Sequence, residues 1–283
     1  MSLKYFVECR SQPKWAQSEY IHQQKAEPWS HANGRGGSRA YELMMYTGSD
    51  SVKGSFAYSA QMLAALETSL SPERMQTYLS RTGGDQERAI RLYTWNAAVS
   101  AAFYGPLQHL EIALRNAMHR ELTTRFGPCW YDNAACGFDN RTIAKLATTR
   151  SELLRDKYLD GPSQIVASLS FGFWVALLGS GGHVAGSGKT NYEMTLWRPA
   201  LFKAFPHVRI SRKKVHAPLD YLRMFRNRIA HHEPVFDRHL VRDYESILEV
   251  TGWICPDSQR WISHHSRVLQ ILNTQAGDSS LRF

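Results

Sequence analysis

The sequence predicts an all-α protein. Apolar residues recur three and four apart along most of the chain after residue 57, the spacing of a helix with one buried face. Serine, aspartate and proline stand where such segments would begin. Runs that alternate apolar and polar residues, as a half-buried strand would, are scarce. With 283 residues and a hydrophobic fraction of 43%, the chain has enough apolar material for a substantial core.

The elements follow in order. Residues 1–56 have few periodic apolar positions and include the glycine- and serine-rich stretch 30–38, so they read as a loosely packed arm. The helical body is expected over 57–275, with a tail over 276–283. Met62, Leu63, Leu66 and Leu70 mark a first helix. Ser71-Pro72-Glu73-Arg74 restarts the pattern, with serine as cap and proline in the first turn. Gly83-Gly84 ends that segment, and Asp85 caps a third carrying Ala89, Leu92, Trp95 and Val99. A long helix is expected to follow Pro106, with Leu107, Leu110, Leu114 and Ala117 as one stripe, ending at Phe126-Gly127-Pro128. The next, over 139–158, should turn Ile143, Leu146, Leu153 and Leu154 inward. Ile165–Leu178 is the longest apolar stretch; it is too short to span a bilayer and reads as one fully buried helix. A loop is expected over 179–191. Pro218 opens a helix with Leu219, Leu222, Phe225 and Ile229 at core spacing, and Pro234 closes it. A last pair covers roughly 237–251 and 257–273.

The formal charge is +9 and unevenly placed. Between Leu201 and Arg228 stand Lys203, Arg209, Arg212, Lys213, Lys214, Arg223, Arg226 and Arg228 against one acid, Asp220. A solvated helix face accounts for part of this; a polyanionic partner accounts for the concentration. Cys9, Cys129, Cys136 and Cys255 form no paired C-x-x-C unit and no zinc knuckle, which fits free thiols in a reducing cytoplasm. Charged residues interrupt the first fifteen positions, so no secretory signal is expected, and neither is a membrane partner.

The basic segment runs into Arg226-Asn227-Arg228-Ile229-Ala230-His231-His232-Glu233-Pro234. Arginine grips a phosphate through two parallel hydrogen bonds and stays charged at any physiological pH. Histidine passes a proton near neutrality. In RNA the 2′-hydroxyl lies beside the scissile phosphorus, so this pair is a minimal kit for cutting without a metal or other cofactor. On an unbroken helix, a side chain five positions on lies about 140° around the axis and one six positions on about 240°. Neither His231 nor His232 would then share the face of Arg226, so the helix must end here or the pair must form between protomers.

Arg226-Asn227-x-x-x-His231 resembles the R-x(4–6)-H signature of HEPN domains, and the wider context is similar to their Abi-like, abortive-infection branch. The resemblance rests on Leu70-Ser71-Pro72-Glu73-Arg74, Leu92-Tyr93-x-Trp95-Asn96, Leu110-Glu111-x-Ala113-Leu114-Arg115-Asn116, Ser170-Phe171-Gly172-Phe173-Trp174, Leu196-Trp197-Arg198-Pro199 and the run through Pro234. It covers about residues 60–270. It implies a HEPN-like helical bundle with additional helices and a metal-independent endoribonuclease acting in phage defence as a homodimer, held in check by a protein or RNA antitoxin. Some members only bind, so a non-catalytic module holding a small structured RNA is the alternative. The resemblance marks Arg226, Asn227 and His231 as catalytic, with His232 as the competing histidine that the residues alone do not separate from it. Arg212, Lys213, Lys214, Arg223, Arg228, Arg115 and Asn116 are the expected RNA contacts. Glu111 and His119, on one helical stripe with Arg115, would support the site; the plainer reading of that stripe is a surface ion pair beside a bystander histidine. The chain departs from some HEPN toxins in carrying Glu233 where a modifiable tyrosine stands two places after the histidine.

Two other signals are set aside. Gly186-Ser187-Gly188-Lys189-Thr190 lacks the first glycine of a phosphate-binding loop, His183 standing in its place. His231, His232, Glu233 and His239 do not form the H-E-x-x-H arrangement of a zinc site.

Overall fold

A computed structural model of the chain describes residues 56–158, 161–184, 186, 188–278 and 281–283. The expectations for the first 55 residues lie outside this range. The described chain is predominantly helical.

Helix α1 (Ala60–Leu70) begins where the Ser59 hydroxyl accepts from the Met62 amide, and α2 (Pro72–Arg81) where the Ser71 hydroxyl accepts from the Arg74 amide. Asp85 caps α3 by accepting from the Arg88 amide at 2.9 Å. The Ser71 and Asp85 caps are the ones that the sequence announces. Helix α3, however, runs unbroken from Gln86 to Phe126 with Pro106 inside it. A proline here forfeits the bond to the Ala102 carbonyl and costs about 3 kcal/mol in a lone helix. Leu92, Trp95, Val99 and Phe103 before it, and Leu107, Leu110 and Leu114 after it, are all buried. Burial of a large apolar side chain stabilises by about 1.5–3 kcal/mol each, so packing on both sides outweighs the proline.

Five further expectations change. Helix α4 (Asn140–Arg155) turns Leu146 and Leu153 inward but leaves Ile143 and Leu154 exposed. The apolar stretch Ile165–Leu178 is two short helices, α5 (Pro162–Ser168) and α6 (Phe171–Leu177), because Ser170 adopts an extended conformation and caps the second by accepting from the Phe173 amide. Helix α7 begins at Arg212, six residues before Pro218, and ends at Ala230. Pro218 lies within its first two turns, where the carbonyl left unpaired is that of exposed Lys214 and water can serve it. Within the expected loop, β1 (His183–Val184) and β2 (Gly188–Lys189) pair antiparallel, His183 opposite Lys189. Helices α8 (Leu240–Ile254), α9 (Pro256–His265) and α10 (Val268–Leu272) complete the chain, so the last expected helix is divided.

Helix α3 is the axis. Helices α2, α6, α7, α8 and α10 all pack on it, as does the helical turn Leu201–Ala204. Rings fill the joints: Phe103 of α3 meets Phe225 of α7 edge-on, with centroids 4.9 Å apart, and also meets Tyr244 of α8. Trp130 and Trp174 are wholly buried and in contact. Trp261, by contrast, is 48% exposed. Cys129, Cys136 and Cys255 are free thiols. No helix among the described residues is long and apolar enough to cross a membrane.

Candidate functional site

Where α7 ends, the chain turns back sharply. The His232 amide donates to the Ile229 carbonyl and the Glu233 amide to the Arg228 carbonyl, the paired bonds that close a helix through a left-handed residue. That residue is His232, at φ +57°. Glycine normally holds this position, since the left-handed region costs other residues about 1–2 kcal/mol. A histidine persists here because its surroundings fix it. The Arg74 guanidinium on α2 donates to the His232 carbonyl at 2.6 Å. Beyond the turn, the Val235 amide donates to Oδ1 of buried Asn96 on α3 at 2.7 Å. Arg238 then makes two bonds, of 2.9 and 3.0 Å, to fully buried Asp243 and lies over the rings of Tyr221 and Phe225 on α7.

The turn opens onto a groove of about 950 Å³ between α3 and α7. Arg226, Ile229, Ala230 and His232 line one side; Tyr93, Asn96, Tyr104, Gln108, Glu111 and Arg115 are among the residues on the other. Because the helix stops at Ala230, Arg226 and His232 share this groove within one protomer, which removes the geometric obstacle that a continuing helix would pose. Nε of Arg226 lies 3.7 Å from Glu111 Oε2 across the groove, with the arginine side chain 42% exposed. Glu111 therefore faces the arginine and tempers its charge.

The other residues singled out in the sequence separate into three groups. Arg115 lines the groove and reaches the Ala167 carbonyl at 3.4 Å. His231 and Asn116 are exposed but do not line it, and Asn227 lies half-buried outside it, its carbonyl accepting from the His231 amide. Arg228 bridges the turn to Glu233 at 3.3 Å, Arg223 pairs with Asp220 at 2.8 Å, and Lys213 and Lys214 are exposed near the start of α7. Arg212 and His119 are committed to the fold. Arg212 is buried, donating to the Leu178 carbonyl at 2.6 Å and pairing with Glu193 at 3.1 Å, so it offers no surface contact. His119 accepts the indole N–H of Trp130 at 3.0 Å; burial, assisted by the Arg115 charge, pushes its pKa down and keeps the ring neutral.

Asn96, Arg74 and Tyr104 are prominent here although the charge pattern gave no reason to choose them. Asn96 left a trace: it stands four residues after Leu92 and three before Val99, a carboxamide on an apolar stripe that must find an internal partner. Among the described residues, no group of three or more His, Cys, Asp or Glu side chains is placed to hold a metal ion. No protein-family model, no curated protein and no solved structure was found to match this chain.

Proposed function

We propose that this chain is a metal-independent endoribonuclease of the Abi-like HEPN type, a phage-defence toxin that works in the cytoplasm as a homodimer under an antitoxin's control. The observation that carries the reading is the shared groove: an exposed arginine and a histidine fixed in a strained turn line the same cleft, beside tyrosines and a carboxylate. Arg226 meets Glu111 through Nε, which leaves its terminal amino groups to donate to a phosphate. Negative charge grows on the non-bridging oxygens as the ribose 2′-oxygen attacks phosphorus, and a positioned guanidinium offsets it where it develops. His232, as the groove-lining member of the pair, takes the 2′ proton or returns one to the departing 5′-oxygen. Each cut then leaves a 2′,3′-cyclic phosphate and a 5′-hydroxyl. The exposed Lys213 and Lys214 offer a salt-sensitive track for flanking phosphates.

The test is cleavage of single-stranded RNA in excess chelator. Wild type and His231→Ala should cut; His232→Ala and Arg226→Ala should not. RNA bound in a salt-sensitive way but left intact by the wild type would instead support a binding module. No interaction with RNA would remove both readings.

A further inference from the structure

We propose that Asn96 belongs to the site with two duties, its oxygen fixing the turn that bears His232 and its amide nitrogen donating to an oxygen of the bound ribose–phosphate. This rests on the ribonuclease reading above and names a contact that the Arg/His motif does not contain.

The argument begins with the orientation of the carboxamide. Asn96 is 5% exposed and lines the groove from α3. Its two terminal atoms differ in kind, one accepting and the other donating. The Val235 amide, 2.7 Å away, is a donor and demands the oxygen. That bond settles which end points into the protein. Nδ2 is left with two N–H groups and no partner among the described residues. Such a donor is served by water or by a ligand. The groove is the open space that Asn96 borders, and the groove already presents Arg226, Arg115 and His232. A neutral donor in that setting adds a directed bond to a phosphate or ribose oxygen without raising the charge of the free protein. The backbone bond to Val235 also means that this donor is already oriented before substrate arrives, as a preorganised contact requires.

Asn96→Asp separates the two duties. Aspartate keeps an oxygen for the Val235 amide and replaces the donor with a second acceptor that repels phosphate. The probe is a short single-stranded RNA with every 2′-hydroxyl methylated, which can bind but not be cut by this route. Asn96→Asp should keep the wild-type thermal midpoint to within a few degrees yet bind the probe roughly tenfold or more weakly, the scale of a lost hydrogen bond plus repulsion. In wild type, which needs no substitution, the Asn96 side-chain amide protons should shift in NMR spectra when the probe saturates the protein, while the Val235 amide keeps its slow hydrogen exchange. Probe that binds while the Asn96 amide signals stay in place, or a folded Asn96→Asp protein that binds as tightly as wild type, overturns the assignment and leaves the ribonuclease reading standing. A wild-type protein that does not bind the probe overturns both.

Discussion

The two ends of α7 carry arginines of opposite fate. At the start, Arg212 is buried, with an 8% exposed side chain, a carbonyl partner and an ion pair to Glu193. At the end, Arg226 is 42% exposed and meets a carboxylate at the longer distance of 3.7 Å across an open groove. In the sequence they are two of eight basic residues on one segment and look alike. The difference teaches that charge density locates a basic region, whereas burial and partners decide which cations remain available to a ligand.

Substitution at each end sharpens the contrast. Arg212→Ala should cost about 2 kcal/mol of stability in denaturant titrations, because it strands the Leu178 carbonyl and leaves Glu193 with Arg198 as its remaining ion-pair partner; the remaining folded protein should act on RNA normally. Arg226→Ala should do the reverse. Its stability should stay within about 0.5 kcal/mol of wild type, as for a surface pair, while RNA cleavage falls about a hundred-fold or more. If both variants lost stability alike, the contrast between the two ends would disappear.

A smaller effect concerns pH. The folded-state pKa of His119 is depressed by burial, so the unfolded chain binds the proton more readily. Stability should therefore be complete above the ordinary histidine value of 6.5 and fall as the pH drops below it. Protonation would also set a ring N–H against the Trp130 indole N–H. His119→Gln, which keeps an acceptor for that indole, should flatten the fall seen in thermal melts as the pH is lowered below 6.5. An equally steep fall in the variant would assign the acid sensitivity elsewhere. A small change in stability, accompanied by loss of cleavage, is expected at His232→Gly. Relief of the left-handed conformation is partly cancelled by the extra freedom of glycine in the unfolded chain, for a net gain of about 0.5 kcal/mol. A more stable protein that no longer cuts RNA would mark the turn as strained for function; a less stable one would assign the histidine to structure.

Much of the fold was legible because caps speak locally. Ser71, Asp85 and Ser59 bond the amides three residues on, wherever the helices then go. The prolines misled. Pro106 and Pro218 read as helix starts, but whether a helix tolerates a proline depends on tertiary burial and solvent access that no local window contains. Periodicity likewise placed Ile143 and Leu154 on an inner face that α4 leaves uncovered. At the site, the run Arg226–Pro234 was visible as chemistry. The end of the helix at Ala230 was half-visible through Pro234. The hold on His232 was not, since Arg74 and Asn96 lie 158 residues before His232 and 139 before Val235. The meeting of Glu111 with Arg226 also needed the packing of α7 against α3.

The most direct measurement of the central claim is the chemistry of the RNA ends. RNA incubated with the wild-type protein in excess chelator should carry 2′,3′-cyclic phosphates and 5′-hydroxyls, and a single 2′-deoxy substitution at a cut position should protect that bond. Ends bearing 5′-phosphates, or cutting that persists at the 2′-deoxy position, would contradict attack by the neighbouring hydroxyl and with it the role given to Arg226 and His232.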